Sequence, residues 1–171
     1  MESVRRLEST GQEVPPQHDV LASLFDLLRD VELASIATVT PQLESHIFNS
    51  YFCYLADETL RIWILTSPES VHARCLATNT SVSMAIASTE QPWPLPKLGV
   101  QLFGHGRRVP DSEVGTPIEA YGDRYPEFPG VLSDPSSLAG LENRFFEFVM
   151  DRAKLFDEAR FGAEVWIDVV F

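Results

Sequence analysis

The sequence predicts a mainly β (α+β) fold, an antiparallel sheet or barrel with helices outside it. Three observations point there. Segments rich in β-forming residues follow one another from Leu33 to Val109, most of them joined by short turns. Val82, Met84 and Ile86 alternate with Ser81, Ser83 and Ala85, the pattern of a strand with one buried face. A doubly wound parallel sheet needs a helix after nearly every strand, and that pattern is missing.

The elements follow in order. Met1 to Gln17 mixes charge with Gly11, Pro15 and Pro16 and reads as a flexible leader, so one domain is expected over 18–171. Val20, Leu21, Leu24, Phe25, Leu27, Leu28 and Val31 recur at helical spacing, with Asp19 placed to cap the start. Strands are expected over Leu33–Val39, Ser45–Leu55 and Leu60–Thr66. Ser67 followed by Pro68 is a helix-start signal, and Asn79 ends that helix. A strand at Val100–Val109 holds Gly104 and Gly106, which marks a bulge or a close backbone approach. Gln91–Lys97 reads as loop. Asp111–Tyr125 reads as weakly helical, interrupted by Pro117 and Gly122, and Pro126–Leu141 as loop with room for one short helix. Phe146, Phe148 and Met150 alternate in a late strand, and Glu164–Val170 forms the last one.

Composition bounds the function. The 171 residues are enough to bury a core without staples. Acidic side chains number 25 against 13 basic ones, a net charge of −12, which repels phosphate backbones and anionic lipid. No nucleic-acid or membrane partner is therefore expected. Cys53 and Cys75 are too few for a secreted disulfide scaffold and read as buried small hydrophobes. No signal peptide or membrane-length apolar run is visible, so the expected location is cytoplasmic.

Nucleotide-binding Gly-x-Gly-x-x-Gly, P-loop and Gly-x-Ser-x-Gly motifs are absent. His18, His46, His72 and His105 have no metal-ligand spacing, so no metal and no catalytic residue is assigned. One constellation carries chemistry. Thr66 ends a strand, Ser67 and Ser70 open a helix, and His72 follows. Hydroxyls beside unpaired helix N–H groups suit an anion, and a histidine adds partial or full positive charge. The same residues also serve a plain cap and a solvated turn, and Glu69 favours that alternative.

The order of these elements resembles the pyridoxamine 5'-phosphate oxidase-like, FMN-binding split-barrel superfamily, over roughly Val20 to Ile167. That family's phosphate segment is Thr, three residues, Ser and two commonly basic positions. Here Thr66 and Ser70 match, while Val71 and His72 stand at the basic positions. Further pieces are His46–Phe52, Gly99-Val100-Gln101 with Gly104, Ala120-Tyr121 with Tyr125-Pro126, and Lys154–Asp157 with Phe161-Gly162 and Trp166. Together they are similar to a small uncharacterised bacterial branch.

The resemblance implies a six-stranded antiparallel split β-barrel with flanking helices, working as a homodimer with FMN at the interface. His46, Ile47, Phe48, Asn49 and Ser50 would contact the ring. Thr66, Ser67, Ser70 and His72 would hold the phosphate. Gln101 would touch ring or ribityl, and Lys154, Phe161 and Trp166 would approach from the other subunit or frame the substrate face. Core packing is the alternative role of Phe161 and Trp166. The function implied is an FMN-dependent oxidoreductase acting on a small-molecule substrate or electron donor. The alternative is a non-catalytic flavin, deazaflavin or haem carrier on the same fold. Vitamin B6 oxidation itself is not expected, because Glu164–Phe171 contains no Arg. With one His in place of two strong bases, FMN affinity is expected to be modest and to fall as His72 loses its proton.

Overall fold

The computed structural model describes residues 4–126 and 142–171. Nine strands form one antiparallel sheet. They are β1 (Arg6–Ser9), β2 (Leu33–Val39), β3 (Ser45–Tyr51), β4 (Cys53–Ala56), β5 (Leu60–Thr66), β6 (Ser81–Ala87), β7 (Leu98–Arg108), β8 (Arg144–Asp157) and β9 (Ile167–Val170). The helices are α1 (Gln17–Asp30), α2 (Val71–Leu76), α3 (Gly115–Arg124) and α4 (Glu158–Phe161), with a 3₁₀ turn at Asp111–Glu113 before α3.

Six strands make the barrel. The hydrogen-bonded path runs β3-β2-β6-β7-β8, then from β8 to β5 and β4. Its two ends, β3 and β4, are separated in the chain by Phe52 alone. They are therefore one bent strand whose first half pairs with β2 and whose second half pairs with β5. Opening the barrel at this bend produces the split. The single strand expected over Ser45–Leu55 is divided there, since one straight strand cannot ladder to both neighbours.

The long strand β8 carries the rest. Its first half pairs with β5 and its second half with β9, while β7 runs along its other edge. The expected flexible leader is corrected by β1, whose Arg6–Ser9 pair with Val170–Ile167 of β9. Leu7 alternates with charged neighbours and packs against the core, so four residues are enough to dock.

The glycines in β7 behave as their position suggests. The register with β8 shifts between Phe103 and Gly104, leaving Asp151 unpaired. A Cβ on Gly104 would stand 2.0 Å from the Val149 carbonyl oxygen. Only glycine permits that approach.

The main core fills the barrel with side chains such as Ile36, Ile62, Ile64, Ile86, Phe146 and Phe148. Two helices close opposite ends. α1 buries Val20, Leu24, Leu27 and Leu28, and its Ser23 Oγ donates to buried Asp157 at 2.7 Å. It begins at Gln17 after Pro16, so Asp19 lies in its first turn rather than at the cap. α2 buries Leu76 beside Gly106 at the other end. α3 covers a second apolar cluster of Cys53, Trp63, Ile118, Tyr121 and Phe145 outside the sheet. It runs through Pro117 and Gly122 without interruption, because Pro117 sits in the first turn, where its missing N–H is not needed. Of the loop read over Pro126–Leu141, all but Pro126 lies outside the described residues.

Candidate functional site

Thr66 is the last residue of β5, at the mouth of the barrel that α2 closes. The chain then turns tightly, with the Ser70 N–H donating to the Ser67 carbonyl at 3.1 Å. Ser70, not Ser67, caps the helix, its Oγ accepting from the Ala73 N–H at 3.3 Å. Pro68 therefore lies in the turn and α2 starts at Val71. Ser67 Oγ accepts from the Glu69 N–H at 3.2 Å. Both serines use their oxygens as acceptors, so each hydroxyl keeps its hydrogen to offer a ligand. α2 has six residues, so little anion binding can come from its dipole.

His72 is the centre of this mouth. Its ring lies over Phe48, centroids 3.7 Å apart and planes 12° apart. Its Nε2 shares a 2.9 Å hydrogen bond with Thr66 Oγ1. The His46 ring stands 6.1 Å away. Burial, with a smaller contribution from His46, pushes the His72 pKa down to about 4. The expectation that His72 supplies positive charge near neutral pH is thereby corrected. In this chain it is a neutral hydrogen-bonding ring.

β3 joins this mouth to a second surface. His46, Phe48 and Ser50 are half-buried on one side, while Ile47, Asn49 and Tyr51 are exposed on the other. The run 46–50 is thus divided between two faces by the pleat. On the outer face, Asn49, Ser35, Ala85, Gln101 and Lys154 stand in register across β3, β2, β6, β7 and β8. Ser35 Oγ donates to Asn49 Oδ1 at 2.8 Å. The next row is Ile47, Ala37, Ser83, Phe103 and Arg152. Three residues distant in sequence, Asn49, Gln101 and Lys154, are so brought into one line.

Lys154 Nζ lies 4.6 Å over the Trp166 ring, which packs edge-on against Phe156. Trp166 therefore belongs to the end of this outer row. Phe161 does not. It packs against the main core and lines a groove with residues of the segment Gly11–Pro16, away from both surfaces. Ser50 faces the barrel side of β3, and its Oγ donates to the Tyr51 carbonyl.

Sequence reasoning missed three features. His105 Nε2 lies 3.4 Å from Asp151 at the bulge, in a groove of about 400 Å³ at the Ser45 end of the outer face. Arg124 stacks 4.7 Å over Phe52 and donates to the Val31 carbonyl at 2.8 Å, holding the bend between β3 and β4. Arg144 stands opposite Thr66 in the β5–β8 ladder. None of these follows from local spacing, because each depends on long-range pairing. Cys53 and Cys75 are buried and unpaired as expected, and burial pushes the Cys53 thiol up to about 12. Among the described residues, no group of three or more His, Cys, Asp or Glu is placed to hold a metal ion, and no helix is long and apolar enough to cross a membrane.

The strand order and the bent β3/β4 strand define a split β-barrel protein. The chain belongs to the pyridoxamine 5'-phosphate oxidase family, whose model matches residues 22–149. Solved structures agree on the fold. A heme binding protein from Mycobacterium smegmatis is 16% identical with a TM-score of 0.69, covering 92% of this chain and 60% of its own. HutZ, the heme storage protein of Vibrio cholerae, is 19% identical with a TM-score of 0.60, covering 80% and 92%. A Clostridium acetobutylicum protein related to general stress protein 26, of the pyridoxinephosphate oxidase family, is 12% identical with a TM-score of 0.58, covering 91% and 96%. No curated protein matches the sequence.

Proposed function

We propose that the chain binds FMN between two copies of itself and serves as an FMN-dependent oxidoreductase for a small-molecule partner. The observation that carries this reading is the double role of β3. One face of this strand meets the hydroxyl-lined mouth, and the other opens onto a flat, exposed sheet face. FMN has the same two parts, a phosphate end and a planar ring.

The residues present fit the group. Thr66, Ser67 and Ser70 offer hydroxyl hydrogens to phosphate oxygens. β3 ends the hydrogen-bonded path, so its outer edge offers backbone N–H and C=O groups to a heterocycle. Asn49 and Gln101 add amide donors and acceptors on the sheet face. When bound, the flavin ring supplies the electron-transfer chemistry. The chain's own residues bind, orient and shield it.

A second copy suits the same face. Ser35, Ala37, Ser83 and Ala85 make its centre flat, and Leu33, Ile47 and Tyr51 expose 49%, 69% and 53% of their surface beside it. Exposed apolar residues around a flat centre favour association. Charge of −12 favours neutral or cationic electron partners over polyanions.

Haem is the rival ligand, favoured by half-buried His46 at the mouth, whose imidazole is not tied to Thr66 as that of His72 is. Adding FMN and haemin separately to the purified chain tests both. The proposal expects saturable quenching of FMN fluorescence with one flavin per chain. Absence of quenching, with a Soret band on haemin addition that is lost in His46→Ala, would replace it with haem binding.

A further inference from the structure

The outer face of the sheet carries a cluster of reactive side chains that takes no part in the flavin reading. It forms around Gly104-His105-Gly106 of β7, where the register with β8 shifts and leaves Asp151 off the ladder. A bulge of this kind re-aims the side chain of its extra residue. Here it brings Asp151 Oδ2 to 3.4 Å from His105 Nε2. On the other side of the same ring, Nδ1 lies 3.3 Å from Thr80 Oγ1. Three residues far apart in sequence thus meet, from the turn before β6, from β7 and from β8.

The backbone holds His105 between these partners. The Gly106 N–H donates to the Thr80 carbonyl at 2.7 Å, which pins Thr80 beside the ring. A Cβ on Gly106 would stand 2.7 Å from the Phe148 ring, so this approach also needs glycine. With Asp151 accepting the Nε2 proton, Nδ1 keeps its lone pair and accepts the Thr80 hydroxyl. A carboxylate that orients an imidazole, and an imidazole that draws on a hydroxyl, make up a nucleophilic relay. His105 and Asp151 line the groove of about 400 Å³, together with Ser45, Ser81, Ser83 and Phe103. That space suits a small molecule. The serines put hydroxyl groups along its wall, the donor type that a developing oxyanion requires. Thr80, His105 and Asp151 are all exposed, so substrate and water both reach them.

We infer that Thr80, His105 and Asp151 form a second, flavin-independent site that hydrolyses small esters by acyl transfer. Thr80 Oγ1 forms a bond to the ester carbonyl carbon, and its proton passes to His105 Nδ1. The bond from that carbon to the alcohol oxygen breaks, and the leaving alcohol takes the proton from Nδ1. Water then gives a proton to Nδ1 and attacks the acyl-threonine. Thr80 Oγ1 leaves with that proton, and the carboxylic acid is released.

The test uses the full chain with p-nitrophenyl acetate and no added flavin. Nitrophenolate release should saturate with ester, and an acid quench should trap an acetyl group that mass spectrometry maps to Thr80. His105→Gln should cut turnover roughly 100-fold, the lower range for loss of a general base. Asp151→Asn should lower it as well. Thr80→Val should remove the acetyl group, and Thr80→Ser should keep it. Matching urea midpoints show that the variants are folded, and the mapping on the unaltered chain needs no variant. An acetyl group mapped only to other residues overturns the assignment. So does turnover in His105→Gln equal to that of the unaltered chain, or turnover of the unaltered chain no faster than free imidazole at the same concentration. Flavin quenching is measured separately, so failure here leaves the FMN reading standing.

Discussion

The His72 ring lies flat on Phe48, 3.7 Å between centroids, while its Nε2 bonds to Thr66. One histidine thereby ties the edge strand β3 to the end of β5 across the split of the barrel. The contact holds a neutral ring in place, and that has measurable consequences.

His72 is expected to remain neutral to about pH 4, whereas it titrates near 6.5 when unfolded. Between those values the unfolded chain binds the extra proton. The contribution to stability is therefore present above pH 6.5 and is lost as pH falls towards 4. NMR titration of the imidazole resonances checks the value, and His72→Gln should flatten this part of the stability profile. A midpoint near 6.5 in the folded chain would contradict it.

Phe48→Ala should let water reach His72 and raise its pKa towards the ordinary range. The same NMR titration reads this directly. An unmoved midpoint would show that Phe48 is not what desolvates the ring.

Two glycines should respond in opposite ways to alanine. Gly104→Ala drives a Cβ into the Val149 carbonyl and should cost about 1–3 kcal/mol or prevent folding. Gly122 lies in α3 with open space around it, so Gly122→Ala should stabilise by about 0.5–1 kcal/mol. Urea denaturation of both variants provides the comparison.

The bend at Phe52 is held by Tyr125, whose hydroxyl donates to the Phe52 carbonyl at 2.8 Å. Tyr125→Phe should cost about 1 kcal/mol in the same denaturation assay. Riboflavin affinity should fall too, since the bend aims β3.

Much of the fold was legible. Alternation in β6 and the short gaps between strands expose the antiparallel architecture, and Gly104 marks the bulge. The split was not, because Ser45–Leu55 carries one continuous β pattern whose division depends on which neighbour each half meets. β1 was hidden because four residues between charges carry no periodic signal. At the site, Thr66, Ser70 and His72 were legible as a spacing, but the stacking of His72 on Phe48 was not, because it depends on where β3 passes α2. The neutrality of His72 was not legible, since it follows from burial by residues elsewhere in the chain. Arg144 stayed invisible for a related reason: register, not spacing, puts it beside Thr66.

The flat outer face should hold two copies together. Ala85→Arg places charge at its centre, between Ser35 and Gln101, and should convert the dimer to a monomer in sedimentation equilibrium. A monomeric unaltered chain would contradict the dimer.

The most direct measurement is an amide and imidazole NMR titration with FMN. Binding as proposed should shift Ser67, Ser70 and Val71, the His72 ring, and the β3 amides from His46 to Ser50 together, with one saturation curve. Shifts confined to other parts of the chain, or none at all, would contradict the account.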